Sequence, residues 1–135
     1  MTPELEKKLF DKYPNLYGDR SLPAEKSCMC WGLSVGDGWY DILDRLSAKL
    51  EPMGIKAAQV KEKFGGLRFY FYGYSERDNV EEAYEYVNEA EAEAAKTCEQ
   101  CGAPGQLYGQ GWLTTLCKTC AEKRGLSTPH KYQEV

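Results

Sequence analysis

The sequence predicts an α+β fold in which helices pack on a β-hairpin or a small antiparallel sheet, followed by a C-terminal four-cysteine zinc ribbon. Three observations support this class: amphipathic helical segments, two strand-like segments joined by a glycine turn, and two Cys-x-x-Cys pairs. A chain of 135 residues is long enough for one domain with a hydrophobic core and a small appendage. We expect the α+β domain over 1–97, the ribbon over 98–125 and a flexible tail over 126–135.

The composition favours a folded protein with an aromatic-rich core. Its 10 Tyr and 3 Trp supply apolar bulk that the few large aliphatic residues do not, and the formal net charge is only −4. No run approaches the roughly 18 apolar residues that a membrane helix needs, and the N-terminal residues lack the features of a signal peptide. We therefore expect a cytoplasmic protein with no membrane partner, and the acidic balance argues against general binding of duplex DNA.

The N-terminal part of the chain predicts two helices separated by irregular structure. Pro3 at a first helical position begins a short helix over 2–13. Proline and glycine then interrupt the chain over 14–36. Over 38–51 the apolar residues recur on one helical face, and Pro52 ends that helix.

The next segments predict a β-hairpin. Residues 55–63 and 67–72 flank Phe64-Gly65-Gly66, and glycine readily adopts the positive φ angles that tight turns require. Aromatic residues occupy both faces of the second strand. We therefore expect each face to be covered, either by helices or by a partner.

The longest predicted helix, over 79–97, carries a row of acidic side chains. Asp78 and Glu81 have close to the spacing of an N-terminal capping box. A carboxylate then recurs at every fourth residue, and this acidic ridge consists of Glu81, Glu85, Glu89 and Glu93. Like charges at this spacing slightly destabilise an isolated helix. The ridge is therefore either a solvated face that aids solubility or a contact surface for a basic partner.

The strongest chemical signal is a set of four cysteines in two Cys-x-x-Cys motifs, Cys98, Cys101, Cys117 and Cys120. Fifteen residues separate the two motifs, a spacing typical of structural zinc sites. Each motif directs two thiolates at one point, so that two motifs complete a tetrahedron around Zn²⁺ and leave no position for a reactive water. We therefore expect a structural zinc ion. Disulfides, which the expected reducing compartment disfavours, and an iron–sulfur cluster are the alternatives.

The hairpin also carries a candidate anion site. Lys61, Lys63 and Arg68 flank the Gly65-Gly66 turn, and exposed backbone N–H groups beside such cations hold phosphates. A phosphate-bearing small molecule, such as a signalling nucleotide, is therefore one candidate ligand.

Neighbouring tyrosines suggest a second ligand for the same hairpin. Tyr70, Tyr72 and Tyr74 offer rings on which bases stack, so that single-stranded nucleic acid is an alternative. The structural alternative is an exposed hairpin whose lysines protect its edge and whose tyrosines belong to the core.

The remaining candidates have structural explanations. Gly36 and Gly38 lack the third glycine of a dinucleotide-binding loop, and we expect them to let the chain turn tightly into the following helix. Cys28 and Cys30 have no further Cys or His cluster with which to form a second metal site. The single histidine, His130, lies in the Pro-containing tail, and the chain has no P-loop, metalloprotease or serine-hydrolase motif. We therefore expect no catalytic activity.

Three segments together resemble small proteins of tailed phages and prophages. They are Trp-Gly…Gly-Asp-Gly-Trp over 31–39, Lys-Glu-Lys-Phe-Gly-Gly-Leu-Arg-Phe over 61–69 and Cys-x-x-Cys-Gly…Gly-Trp…Thr-Leu-Cys over 98–117. The resemblance covers roughly 28–121 and brings no established activity, hence no catalytic residues. It implies a phage-encoded accessory protein in the bacterial cytoplasm that binds and inhibits or redirects a host component.

The leading expectation is therefore a non-catalytic protein that binds a host macromolecule, with a host defence protein as one candidate. The acidic ridge and the hairpin residues Tyr70 and Tyr72 are its predicted contact surfaces. Capture of a phosphate-bearing small molecule and binding of single-stranded nucleic acid remain the alternatives.

Overall fold

The computed structural model describes residues 1–73, 77–126 and 128–130 and confirms the α+β class. The helices of this part of the chain are α1 (Pro3–Lys12), α2 (Tyr40–Leu50), α3 (Arg77–Ala94) and α4 (Lys118–Lys123). The strands are β1 (Leu33–Ser34), β2 (Lys56–Lys63), β3 (Gly66–Tyr72), β4 (Gln106–Tyr108) and β5 (Thr114–Leu116). Short 3₁₀ turns span Gly18–Ser21, Cys28–Trp31, Asp37–Trp39 and Glu51–Met53.

The predicted hairpin is present, but the sheet that contains it is mixed. Strands β2 and β3 are antiparallel, whereas β1 pairs with β2 in parallel, with Leu33 opposite Val60. A strand of two residues is too short to give a periodic pattern, which is why the sequence predicted an antiparallel sheet. The turn consists of Phe64 and Gly65, both with positive φ, so β3 begins at Gly66, one residue earlier than predicted.

The main core lies between one face of this sheet and the helices α2 and α3. Leu67 and Phe69 of β3 are buried there, while Tyr70 and Tyr72 on the opposite face stay about half exposed. Trp39 is fully buried, and its indole N–H donates a hydrogen bond to the Thr97 carbonyl (2.9 Å). The helices therefore cover the core face of β3, and coverage of the other face by a partner stays a prediction.

Helix α3 packs on the core through small side chains. Ala83, Val87 and Ala90 are buried, whereas Tyr84 is exposed. The Tyr84 and Phe71 rings pack together with their centroids 4.7 Å apart. The side chain of Asp78, the predicted helix cap, lies outside the described residues, as does Tyr74. Within the described ranges, no helix combines the length and the apolar character that crossing a membrane requires.

The C-terminal ribbon has a small core of its own. The hairpin β4–β5 and helix α4 surround the buried residues Cys98, Tyr108, Leu116, Cys120 and Ala121. The chain after α4 continues along this hairpin: Pro129 pairs with Tyr108, and the His130 N–H donates to the Leu107 carbonyl (2.8 Å). Residues 128–130, expected in a flexible tail, thus extend the ribbon, and 131–135 lie outside the described residues.

Candidate metal centre and adjacent clefts

The four predicted ligands come together as one cluster. The Sγ atoms of Cys98, Cys101, Cys117 and Cys120 all lie within 4.8 Å of one another. The Cys101 and Cys117 sulfurs are 3.5 Å apart, and all of these cysteines are free thiols. A single metal ion placed among them would contact all four, so the cluster is a metal-binding site in its geometry and its donor set.

Local backbone structure directs the sulfurs inward. Gly102 adopts a positive φ of 85°, which lets its N–H donate to the Cys98 carbonyl (2.9 Å) and close the first Cys-x-x-Cys turn. In the second turn, the Cys120 N–H points at the Cys117 sulfur (3.4 Å) where α4 begins. Burial disfavours the Cys98 thiolate, but backbone hydrogen bonds outweigh burial and lower the pKa of Cys98 to about 7. One sulfur of the cluster is therefore largely ready to bind a cation at neutral pH.

The first Cys-x-x-Cys turn packs directly on the glycine loop before α2. The Gly38 N–H donates to the Glu99 carbonyl (2.7 Å), and the Gly36 N–H donates to the Glu99 carboxylate (2.8 Å). A Cβ at Gly38 would lie 2.1 Å from the Cys98 carbonyl oxygen. Close approach of the metal centre, rather than the tight turn predicted from the sequence, is thus the reason for these glycines.

The hairpin turn docks on the ribbon and does not form the predicted anion site. The Gly65 carbonyl accepts a hydrogen bond from the Thr115 hydroxyl (2.6 Å), and a Cβ at Gly65 would lie 2.4 Å from Leu107. The Gly65 N–H donates to the Glu62 carboxylate (2.6 Å). A side-chain carboxylate therefore occupies the Gly65 donor that a phosphate would need, which argues against Gly65 as an anion-binding residue. Gly66 begins β3 opposite Lys63, and its place among the candidates stays a prediction.

The three predicted cations are brought together on the other face of the hairpin. Lys61 lies directly opposite Arg68 in the β2–β3 ladder, and Lys63 lies two residues further along the same face. In the part of the chain that the structure describes, none of the three comes within ion-pair distance of a carboxylate. Burial raises the pKa of Glu91 on α3, and the Arg68 charge partly opposes that rise.

The acidic ridge is divided between solvent and the interface with α2. Glu81, Glu85 and Glu89 are exposed, as predicted. Glu93, in contrast, binds the Arg45 guanidinium of α2 with both carboxylate oxygens, one at 3.0 Å. The Lys49 amine is 3.9 Å from Glu89. The C-terminal half of the ridge is therefore partly neutralised within the chain.

Two exposed aromatic residues that the sequence did not single out meet beside the metal centre. Trp112, in the β4–β5 loop, is 81% exposed, and Phe64, in the β2–β3 turn, is 65% exposed. With Leu113 they line a small apolar cleft of about 240 Å³, which we call the aromatic cleft. A tryptophan directly after Gly109-Gln110-Gly111, at a predicted hairpin tip, was the available signal, since a loop that short has no core in which to bury it.

A larger polar cleft lies on the other side of Trp112. This acidic cleft, of about 520 Å³, contains the carboxylates Asp37, Glu62 and Glu99, with Arg124 and the N-terminal amine of Met1 as cationic neighbours. Burial raises the pKa of Glu99, and the nearby Glu62 charge adds to that rise despite the hydrogen bond from Gly36. Trp112 thus separates an apolar cleft from a negatively charged one.

The backbone at Phe64 predicts a measurable effect on stability. Its φ of 53° lies in the left-handed region, which costs a residue such as Phe about 1 kcal/mol and suits Asn. We expect Phe64→Asn to raise the free energy of unfolding by about 0.5–1 kcal/mol, measured by urea denaturation. Phe64→Ala, which removes the ring but keeps the strained backbone, should give no such gain. Equal effects of the two substitutions would contradict the assignment of strain.

Three segments distinguished by sequence therefore meet at one junction: the glycine loop over 36–38, the hairpin turn and the cysteine ribbon. The ribbon contacts both of the other segments through hydrogen bonds of 2.6–2.8 Å. The aromatic and acidic clefts lie at this junction. Comparison of the chain with protein families, with curated proteins and with solved structures finds no match.

Proposed function

We propose that this chain is a non-catalytic binding protein that engages a host protein through the aromatic cleft. The observation that carries the proposal is the exposure of Trp112 and Phe64 side by side around one apolar cleft. Exposed aromatic residues of this size are costly to leave in water, and such residues dominate the energetics of protein interfaces. Retention of Phe64 in a strained backbone conformation is a second argument, because strain of this kind concentrates at functional sites.

The charges beside the cleft define the kind of partner segment. The carboxylates of Asp37, Glu62 and Glu99 border Trp112 on its other side. A complementary partner segment has an apolar side chain that enters the aromatic cleft and a neighbouring Lys or Arg that enters the acidic cleft. If this cation lies above the Trp112 indole ring, a cation–π interaction adds to the attraction. The exposed residues Glu81 and Glu85 would extend this preference for a basic partner.

The metal in the ribbon is, in this proposal, a structural zinc ion. Four thiolates are the typical donors of such sites, and Zn–S bonds of about 2.3 Å space the sulfurs of a tetrahedron about 3.8 Å apart. The 3.5 Å between Cys101 and Cys117 fits that spacing. An iron–sulfur cluster would lie between the sulfurs and require them to be further apart. Zinc holds the loop that carries Trp112 against the hairpin turn that carries Phe64.

The carboxylates at the junction support a non-catalytic function. Glu62 accepts the Gly65 N–H, and Glu99 accepts the Gly36 N–H, so each has a structural role in joining two segments. The phosphate-capture alternative loses support because the turn amide is already paired. The phage context and the expectation that the partner is a host protein come from the resemblance alone.

The test is affinity capture from a bacterial lysate, followed by titration of any captured protein. We expect Trp112→Ala to weaken the complex by at least about 30-fold, the effect of a typical interface hot spot. Its free energy of unfolding should stay within about 0.5 kcal/mol, because the side chain is exposed. The matched control is Trp31→Ala, which removes a tryptophan that is 71% exposed and does not line the cleft. Equal affinities of the Trp112→Ala and wild-type proteins for the captured protein would refute the proposed surface.

A further inference from the structure

We infer that the outer face of the hairpin is a second binding surface, specific for single-stranded nucleic acid. This basic sheet face consists of Lys61, Lys63, Arg68, Tyr70 and Tyr72. It overlaps the aromatic cleft at Lys63, which lines that cleft and whose amine lies 5.6 Å from the centre of the Phe64 ring. The other four residues do not line the cleft, and all five side chains project from the face of the hairpin opposite to Glu62.

The arrangement of the cations carries the first part of the argument. Lys61 and Arg68 are cross-strand neighbours, and Lys63 follows on the same face, so the charges form a row. Among the described residues none of the three is within ion-pair distance of a carboxylate, although the chain is acidic overall. A row of cations outside ion-pair distance of any described carboxylate complements a series of phosphates better than a single phosphate group.

The tyrosines carry the second part. Tyr70 follows Arg68 on the same face, and Tyr72 follows Tyr70, at a rise of about 3.3 Å per residue, so this row spans roughly 13 Å. Their rings are 46% and 45% exposed and line a groove of about 510 Å³ with residues 24–28. The Tyr72 hydroxyl donates to Asp19, which holds that ring in place. Rings next to a row of cations are the arrangement with which proteins stack unpaired bases and bind their phosphates.

The structure also distinguishes this ligand from the alternatives. A free nucleotide is disfavoured because the Gly65 amide, which would cradle its phosphate, is bonded to Glu62 on the other face. Duplex DNA is disfavoured because paired and stacked bases leave no ring faces for Tyr70 and Tyr72.

The experiment is fluorescence anisotropy of a labelled 20-nucleotide oligothymidine with the full chain. If the three cations neutralise three phosphates, the logarithm of the association constant should fall with the logarithm of the salt concentration with a slope of about −2. Binding should then be about 20-fold weaker at 200 mM salt than at 50 mM salt. We expect Lys61→Glu/Lys63→Glu to weaken binding at least 10-fold, and Tyr70→Ala about 5-fold or more. The matched control is Lys7→Glu/Lys8→Glu on α1, which changes the net charge by the same amount as the hairpin double variant. Both residues are exposed and lie outside the hairpin, so this control should have little effect on oligonucleotide binding.

Three results would overturn the inference. They are an absence of binding by the wild-type chain at low salt, equal losses in the two double variants, and tighter binding of ATP than of the oligonucleotide. The salt slope of the wild-type protein is measured without any substitution, so it tests the inference even where a variant fails to fold.

Discussion

Removal of the metal is expected to unfold the ribbon while the α+β core remains folded. The hydrophobic core of the ribbon has only five buried residues among those described, and two of them, Cys98 and Cys120, are ligands. The remaining apolar surface is too small to stabilise a segment of this length without an ion, and structural zinc contributes about 10–16 kcal/mol in comparable small sites. The main core, in contrast, has its own large cluster of buried side chains.

Hydrogen exchange measured with and without a strong chelator tests this prediction. Protection should be lost over 98–126 and in the glycine loop before α2, but kept in β2, β3 and α3. Cys98→Ser should have the same effect without a chelator, and native mass spectrometry should find one zinc ion in the wild-type chain and none in this variant. The double variant Cys28→Ser/Cys30→Ser is the control, because both of these thiols are exposed and outside the cluster. Unchanged protection after chelation would contradict a structural metal.

Substitution of Gly38 by Ala is expected to separate the ribbon from the core. The new Cβ would lie 2.1 Å from the Cys98 carbonyl oxygen and 2.6 Å from the Gly102 amide nitrogen. Both are backbone atoms next to metal ligands, so they cannot move aside as a flexible side chain would. We expect a loss of about 3 kcal/mol or more in the free energy of unfolding, at the upper end of overpacking effects, together with weaker zinc binding.

The control for this substitution is Gly66→Ala, and the stability of both variants is measured by urea denaturation. A Cβ at Gly66 would meet its nearest atom at 3.4 Å, the Arg68 guanidinium, which is an ordinary contact. Gly66→Ala should therefore change stability little. Similar losses in the two variants would mean that the cost at Gly38 comes from general glycine effects and not from contact with the metal centre.

The metal ligands and most helices were predictable because their signals are local. The spacing of the four cysteines determines which sulfurs meet whatever the rest of the chain does. Pro3 and the sequence around it likewise predicted α1 over 2–13, and the helix spans Pro3–Lys12, so the prediction is within one residue at each end. Helix α2 begins two residues later than predicted because the chain first forms a 3₁₀ turn at Asp37–Trp39.

The candidate site was less predictable because it depends on which distant residues meet. From the sequence, Gly65 and its neighbouring cations formed one site, but the ribbon covers the turn and Glu62 takes its amide. A similar limit applies to Glu93, whose partner Arg45 lies on another helix. The strand β1 exists only because β2 lies beside it.

By itself, the sequence determined the α+β class, the four-cysteine cluster and the hairpin, since each depends on residues close together in the chain. Only the tertiary structure decided why Gly38 is a glycine, which face of the hairpin carries Lys61, Lys63 and Arg68, and that Trp112 and Phe64 are exposed around one cleft. Those properties depend on contacts between segments dozens of residues apart, and such contacts leave no periodic pattern in any one of them.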